Sequence, residues 1–401
     1  MSRRLFLPLL SLALTLGLSG CWNSVELNQF AIISGTGVGY KDNQYEISYQ
    51  IVIPQAISSS SGTGGSSVSP INVFSSLGST PIEAVQRASL EFPRTLFFAH
   101  NRVVVVSEQA ARQGLTNIID LYLRNQENRE TVSIFITRDN PKNVLKVLLP
   151  LEKIQGSGVL KMTTVAEEQT SRVRRTRVYA AAMTIASRSA SAVIPEIVIT
   201  GGIPAQQTTG AWDKSSSSAT LKFGTNAVFR YDKLVGWLNA QESIGVNLVK
   251  NEMKSTTLTF ACPRDSNSLY SIRVSDVKSQ LHTARQGDRA VVTADAQLKV
   301  VLIEADCNGQ LASPEQLKQA QRSIEKAITG YMEEAWQASV RLKSDILGIS
   351  DLIYRKQHGI WRSWENEKEL PWTQVDFRPT ASVTIERTGM SNDSFRTLLG
   401  K

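Results

Sequence analysis

Histidine and cysteine are scarce in this chain, which has three of each among 401 residues. His100, His282 and His358 lie far apart, so no group of residues has the spacing of a zinc site. The chain also lacks a G-x-S-x-G motif and a His-Glu-x-x-His motif. Ser323-Ile324-Glu325-Lys326 spells S-x-x-K, but no K-T-G accompanies it and the segment falls inside a predicted helix. We therefore expect no catalytic residues, no metal and no cofactor, and the sequence predicts a protein that is not an enzyme.

No apolar run reaches the length of about twenty residues that a membrane-spanning helix needs. The run from Leu5 to Leu18 is fourteen residues long, follows Arg3 and Arg4, and leads into Leu18-Ser19-Gly20-Cys21. A short charged segment, a short apolar run and small residues before a cysteine are typical of a bacterial signal peptide that ends in a lipobox. We predict that residues 1–20 are the signal peptide and that Cys21 carries a diacylglycerol thioether after cleavage.

Lipidation of Cys21 decides where the protein lies. One acyl chain holds a protein only marginally at a membrane, whereas two chains anchor it stably, and a diacylglyceryl cysteine has at least two. We expect Cys21 to hold the protein on the outer face of a bacterial membrane. Loss of Arg3 and Arg4 with the signal peptide lowers the formal charge of +8 by two. The remaining positive charge suits a surface beside anionic lipid, and we expect no nucleic-acid partner.

Cys262 and Cys307 are the two cysteines that remain besides Cys21. An even pair outside the cytoplasm favours a disulfide bond. Cys262 ends the first strand of a predicted three-strand meander and Cys307 follows the third, so both are expected at the same end of that sheet. Two buried free thiols are the alternative.

The chain is long enough for two or three domains. Strands alternate with helices up to about residue 150, which predicts an N-terminal α/β domain over residues 21–150. Residues 151–218 are predicted to form a middle subdomain that ends in a Ser-rich linker near 203–218. Residues 219–401 are predicted to form a C-terminal α+β domain, so the whole chain is expected to be a multidomain α+β protein.

The C-terminal domain is predicted from period-2 strands and one long amphipathic helix. A hairpin over 227–238 is expected to turn at Tyr231-Asp232, and three antiparallel strands are expected over 256–263, 269–282 and 290–306. Ser313-Pro314 begins the helix. Its apolar or small residues keep steps of three and four, and they are Leu317, Ala320, Ile324, Ala327, Tyr331, Ala335, Ala338, Leu342 and Ile346.

Five stretches in order together resemble one family. They are "CWNSVELNQFAIISGTGVGY" (21–40), "PRTLFFAHNRVVVVSEQAARQGL" (93–115), "AVFRYDKLVGWLNAQESIG" (227–245), "DILGISDLIYRKQHGIWRSW" (345–364) and "VTIERTGM" (383–390). In these stretches the chain is similar to the Ger(x)C family of spore germination lipoproteins, the C subunit of nutrient germinant receptors. Many members have Gly where Ala99 stands and an acidic residue where Asn23 stands, and neither difference affects the anchor.

The resemblance implies a non-enzymatic subunit that works with other proteins. Its partners would be a polytopic membrane subunit and a transporter-like membrane subunit, and the complex would lie in the inner spore membrane with the lipoprotein outside. A solute-binding lipoprotein that delivers a small nutrient to a transporter is the rival function. That class would need two similar α/β lobes around a cleft, which the predicted meander does not supply.

Two features of the sequence are candidates for contact with a partner. Trp361, Trp364 and Trp372 cluster late in the chain, and tryptophan is enriched among interface anchors. Core and edge packing is the default expectation for all three, and an exposed aromatic patch that docks a partner is the alternative. The run "SRVRRTR" (171–177) has four arginines, which favours a solvated face, and contact with lipid phosphate or with an acidic partner loop is the alternative.

Overall fold

The computed structural model describes residues 26–58, 69–125, 128–187, 189–202, 215–262, 265–287, 289–305, 314–364 and 371–387. The predicted signal peptide, Cys21, Cys307 and most of the predicted linker lie outside the described residues.

Nine strands form the first sheet. They are β1 (Phe30–Lys41), β2 (Gln44–Val52), β3 (Ile71–Gly78), β4 (Thr95–Phe97), β5 (Val103–Ser107), β6 (Ser133–Thr137), β7 (Val193–Gly201), β8 (Ala219–Arg230) and β9 (Lys233–Leu238). The spatial order is β3-β2-β1-β5-β6-β7-β8-β9, and β4 pairs with the start of β1. Strands β1, β5, β6 and β7 run parallel, so all four begin at one end of the sheet, which we name the strand-start end.

Seven helices cover the two faces of this sheet. They are α1 (Pro54–Ser58), α2 (Pro81–Glu91), α3 (Glu108–Gln113), α4 (Thr116–Arg124), α5 (Pro141–Lys146), α6 (Gln155–Thr170) and α7 (Val178–Ala186). Side chains of a strand alternate between faces. Val104 and Val106 therefore pack with α2, α3, α4 and α7, whereas Val103 and Val105 pack with α5 and α6. A strand buried on both faces explains the uninterrupted apolar run at 103–106.

Helices α2 and α5 each begin with a capping residue followed by proline, at Thr80-Pro81 and Asn140-Pro141. The Thr80 hydroxyl accepts a hydrogen bond from the Glu83 backbone N–H, and the Asn140 side chain accepts one from the Lys142 N–H. Proline follows each cap because the first helical position leaves its N–H unused.

Four strands and four helices form the second layer. The strands are β10 (Thr256–Cys262), β11 (Asp265–Gln286), β12 (Arg289–Ala305) and β13 (Asp376–Arg387), and the helices are α8 (Ala240–Val249), α9 (Pro314–Leu342), α10 (Ile349–Lys356) and α11 (His358–Trp364). The three predicted strands form the antiparallel meander β10-β11-β12, and β13 pairs with β12 in parallel. The expected long helix on a mostly antiparallel sheet is confirmed.

Helix α9 buries a wider face than its sequence predicted. Ala320, Ile324, Ala335 and Ala338 are buried as expected, but Ile328, Met332 and Trp336 are buried as well. The face is wide because α9 packs against both α8 and β13. The contact with α8 is close, since a Cβ on Gly245 would lie 1.9 Å from the carbonyl oxygen of Tyr331. The helix was expected to continue to Ile346, but it ends at Leu342 because Lys343 has a left-handed φ of 50°.

Strands β8 and β9 belong to the first sheet, whereas the predicted C-terminal domain begins at residue 219. The predicted hairpin at Tyr231 is confirmed, but β8 pairs with β7 from Val193 to Gly201. Strand β7 joins β6 through Ile136 and Glu196, and the buried Glu196 carboxylate forms an ion pair of 3.0 Å with Arg138. The sheet boundary therefore lies after Leu238. Period-2 patterning identified the hairpin but carried no information on which sheet it joins.

Candidate partner-contact site at the junction of the sheets

The turn between α9 and α10 connects the two sheets through buried hydrogen bonds. The Ser344 hydroxyl donates to the Phe229 carbonyl at 2.7 Å, and the Ser191 backbone N–H donates to the Asp345 carbonyl at 3.1 Å. The Ser339 hydroxyl in α9 donates to the Ser344 carbonyl at 2.7 Å. We name residues 343–348 the junction turn, because it fixes the end of α9 against β8 and the start of β7.

Asp345 holds the start of α10. Its carboxylate accepts hydrogen bonds from the backbone N–H groups of Gly348, Ile349 and Ser350 at 2.9, 3.0 and 2.6 Å. These are N–H groups at a helix start that have no partner within the helix. Asp345 is 6% exposed. Burial raises the pKa of this carboxyl above its ordinary value, and the hydrogen bonds from α10 oppose that shift.

Helices α10 and α11 present aromatic side chains beside the junction turn. The rings of Tyr354 and Trp361 lie 5.3 Å apart, and those of Trp361 and Trp364 lie 6.4 Å apart. Tyr231, at the turn of the β8-β9 hairpin, shares a cavity lining with both tryptophans. Tyr231 and Tyr354 are 67% and 51% exposed. We name Tyr231, Tyr354, Trp361 and Trp364 the aromatic rim.

Trp372 does not belong to this rim. It is 5% exposed and its ring meets that of Trp336 edge-on at 5.9 Å, inside the core between α9 and β13. Trp361 and Trp364 are half-buried and also pack against this core, and all three tryptophans line the same cavity. Their role as partner contacts stays a prediction.

A cavity of about 160 Å³ lies between the junction turn and the aromatic rim. Arg230 and Lys343 line it together with Trp361 and Trp364. Apolar rings beside basic groups can accept an apolar anchor flanked by carboxylates, which is the composition of many interface segments. Across the residues that the structure describes, no three His, Cys, Asp or Glu side chains are grouped to hold a metal ion.

The sequence identified Trp361 and Trp364 but missed the two tyrosines of the rim. Tyr231 occupies a predicted hairpin turn, and turns lie on the surface of a protein, so its exposure could have been inferred from that position. No sequence pattern singled out Tyr354. Their proximity to Trp361 depends on how the first sheet meets α10 and α11, which no local pattern encodes.

The arginine run at 171–177 connects α6 with α7 and lines a second cavity of about 200 Å³ against α8. Arg174 forms an ion pair of 2.5 Å with Glu252, and the Arg175 Nε donates to the Ser133 hydroxyl at 2.9 Å. Burial and the nearby charge of Arg177 lower the pKa of Arg175. The run is therefore partly structural, whereas Arg172 and Arg177 are exposed, which is compatible with either a solvated face or contact with lipid phosphate.

Two family models match this chain, one after the other. The model "Spore germination protein N-terminal domain" matches residues 23–199, and the model "Spore germination B3/ GerAC like, C-terminal" matches residues 225–389. The chain belongs to the GerAC-like family of spore germination proteins. The resemblance drawn from the sequence is confirmed, and proteins of this GerAC-like family are receptor subunits and not enzymes.

Two relatives of this GerAC-like protein align with it over nearly their whole length. It is 27% identical to spore germination protein KC of Bacillus subtilis (strain 168), over 99% of this chain and 98% of that protein. It is 21% identical to spore germination protein B3 of the same organism, over 93% and 95%. The crystal structure of the GerBC protein superposes with a TM-score of 0.55 at 16% identity, covering 88% of this chain and 97% of that one. That likeness confirms the predicted fold class.

The described part of this GerAC-like protein has no helix with the length and hydropathy to cross a membrane. Cys262, the last residue of β10, is 6% exposed and is disulfide-bonded. Cys307 and Cys21 lie outside the described residues, so the pairing of Cys262 with Cys307 and the lipidation of Cys21 stay predictions.

Replacing Asp345 with alanine should lower the free energy of unfolding by about 1–3 kcal/mol, because three buried N–H groups lose their acceptor. Asp345→Asn keeps one acceptor oxygen and removes the buried charge, so its loss should be smaller. Chemical denaturation of both variants and the wild type measures the difference. Equal stability of the alanine variant and the wild type would contradict the role assigned to this side chain.

The pH dependence of the same comparison tests the raised pKa. A carboxyl whose pKa is raised by folding favours the protonated form in the folded state, so its contribution to stability is complete below the ordinary aspartate pKa of about 4. The advantage of the wild type over Asp345→Asn should decline as the pH rises through the folded-state pKa. An advantage that grows over that interval would contradict the direction of the shift.

A disulfide bond between Cys262 and Cys307 closes a loop of about 45 residues, which in the chain-entropy model stabilises the fold by about 4 kcal/mol. We expect that free-thiol labelling of the unfolded, unreduced mature chain finds neither thiol reactive. After reduction, both should be labelled. Two reactive thiols before reduction would show that the cysteines are unpaired.

Proposed function

We propose that this protein is the lipid-anchored C subunit of a spore nutrient germinant receptor, and that it acts by contact with membrane subunits rather than by turnover. The observation that carries the proposal is the ordered match of both family models over residues 23–389. The signal peptide and lipobox ending at Cys21 support an anchor on the outer face of the inner spore membrane. The family supports partners of two kinds, a polytopic subunit and a transporter-like subunit.

The aromatic rim supports a role in contact. Two of its rings are more than half exposed, and aromatic anchors surrounded by packed residues supply much of the binding energy of protein interfaces. Arg230 and Lys343 beside the rim favour an acidic segment of the partner. A contact subunit affects signalling only if it binds one conformational state of its partners better than another. In our proposal, the rim makes that differential contact.

The second layer argues against a solute-binding lipoprotein. Such a protein would need a second α/β lobe like the first, with a ligand cleft between them. The described second layer is instead a four-stranded sheet covered by α9. Calorimetry of the purified chain with amino acids and sugars separates the two functions, since a contact subunit should give no heat of binding with any of them.

Removing the two exposed tyrosines of the rim should reduce capture of the membrane subunits from detergent-solubilised spore membranes. We expect Tyr231→Ala/Tyr354→Ala to lower capture by on the order of tenfold. Tyr179→Ala is the matched control, because Tyr179 is 47% exposed and lies on α7, outside the rim. Spores with the double variant should fail to germinate with one nutrient class and respond normally to nutrient-independent triggers.

Capture and germination by the rim variant at wild-type levels would show that the rim is not the contact surface. A normal response to every nutrient by spores in which the gene is deleted and no second receptor compensates would overturn the receptor function itself. The capture and germination results of the rim variant are interpreted only if its thermal stability matches that of Tyr179→Ala.

Lipidation is tested separately with Cys21→Ala. The thiol is the group that receives diacylglycerol, so the variant should remain an unprocessed precursor that associates loosely with membranes. Mass spectrometry of the membrane fraction measures the acyl mass and the new N-terminus. A variant that is still acylated and cleaved after Gly20 would show that another residue carries the anchor.

A further inference from the structure

The polypeptide enters the fold at the strand-start end. Glu26 is the first described residue and β1 begins at Phe30. Four residues lie between Cys21 and Glu26, and the five Cα–Cα steps from one to the other span at most about 18 Å when extended. A lipid on Cys21 would therefore hold this end of the first sheet close to the membrane surface.

The two most exposed leucines of the described chain lie at this same end. Leu151 is 95% exposed and Leu90 is 87% exposed. Leu90 is in the last turn of α2, which leads into β4, and Thr95 of β4 pairs with Phe30 at the start of β1. Burial of leucine away from water is favourable, so an apolar phase at this end of the molecule would gain free energy by covering both side chains.

Leu151 reaches the strand-start end from the other face of the sheet. It lies between α5 and α6, and the Gly156 backbone N–H at the start of α6 donates to the Gln50 side chain at 3.0 Å. Gln50 pairs with Gly35 of β1, which in turn pairs with Val103, so α6 begins level with the start of β5. Because α2 and α6 cover opposite faces, the two leucines lie on opposite faces of the first sheet.

Basic side chains lie at the same end as the leucines. Arg94 precedes β4, Arg102 precedes β5, and the backbone of Arg177 forms a β-bridge with that of Ser133 at the start of β6. All three side chains are exposed, and no ion pair with a carboxylate of the described residues is found for any of them. The carboxylates at this end belong to Glu26, Glu91, Glu130 and Glu152, and that of Glu152 is paired with Lys161. Because Arg129, Lys153 and Arg175 join the three arginines, positive charge is in excess.

We propose that the strand-start end is a lipid-facing surface, with Leu90 and Leu151 inserted at the acyl boundary and Arg94, Arg102 and Arg177 on the phosphates of anionic lipids. Exposed apolar residues ringed by basic ones are the composition of surfaces that bind at the membrane interface. The orientation rests on the proposed anchor at Cys21. The lipid-binding property belongs to the described residues alone, so it is measurable without the anchor.

The test uses the chain from residue 22 onward, made without lipid, and co-sedimentation with vesicles. We expect binding to vesicles that contain phosphatidylglycerol and much weaker binding to pure phosphatidylcholine vesicles. Leu90→Ser/Leu151→Ser and Arg94→Glu/Arg177→Glu should each weaken binding by on the order of tenfold. Leu77→Ser is the matched control and should bind as the wild type does, because Leu77 is 50% exposed at the opposite end of the sheet, where β3 ends.

The proposal falls if the chain does not bind phosphatidylglycerol vesicles, or if Leu77→Ser weakens binding as much as the double leucine variant. It also falls if the leucine variant keeps vesicle binding but loses capture of the membrane subunits, since this end would then be a protein-contact surface. If the wild-type chain captures the membrane subunits but does not bind phosphatidylglycerol vesicles, this inference is overturned and the receptor function stands. Each variant is compared with the wild type at equal thermal stability.

Discussion

The junction turn is the constraint on which the relation between the two sheets depends. It places the hydroxyl of Ser344 and the backbone of Asp345 against β8 and the start of β7, and it uses the Asp345 carboxylate to start α10. These bonds are buried, and polar groups in such surroundings are costly to leave without partners. The arrangement therefore favours one relative position of the sheets, and the aromatic rim exists only in that position because its members come from both sides of the turn.

The aromatic rim and the lipid-facing surface lie at the same end of the first sheet, because the parallel strands all begin there. Four residues that line the rim cavity precede β7 at the end of the sheet where β1 also begins, and they are Ser187, Ser189, Ala190 and Ser191. Three strand spacings separate β1 from β7, which is a distance of about 14 Å. A protein that rests on the membrane by this end thus presents its aromatic rim near the surface from which membrane-embedded partners emerge.

Local patterns in the sequence predicted most elements, because caps, turns and periodicity are local properties. The Thr80-Pro81 helix start, the Tyr231 hairpin and the meander that ends near residue 305 all follow from neighbouring residues. The sequence did not predict that β8 and β9 belong to the first sheet, since the edge strand of a hairpin can pair with a strand of either sheet. The wide buried face of α9 was also missed, because the second contact is made by α8, which lies far away in the sequence.

Some residues of the candidate sites could be identified from the sequence, and others could not. Trp361 and Trp364 were found because tryptophan is rare and suited to interfaces, yet the same reasoning included Trp372, which is core. Leu90 and Leu151 could not be found, because a leucine in a helix or before one is normally buried. Whether Leu90 and Leu151 are exposed depends on how the helices and strands pack in the tertiary structure, which local sequence does not determine.

The last described strand has a consequence for the order of folding. β13 completes the second sheet by pairing in parallel with β12, and about seventy residues separate the two strands. Until that return is made, β12 is a long edge strand whose backbone groups on one side can pair with any extended chain. Loop closure over such a distance is slow relative to local pairing. A chain emerging on the far side of a membrane would therefore pass through a state prone to aggregation, and a nonsense mutation before Asp376 would make that state permanent.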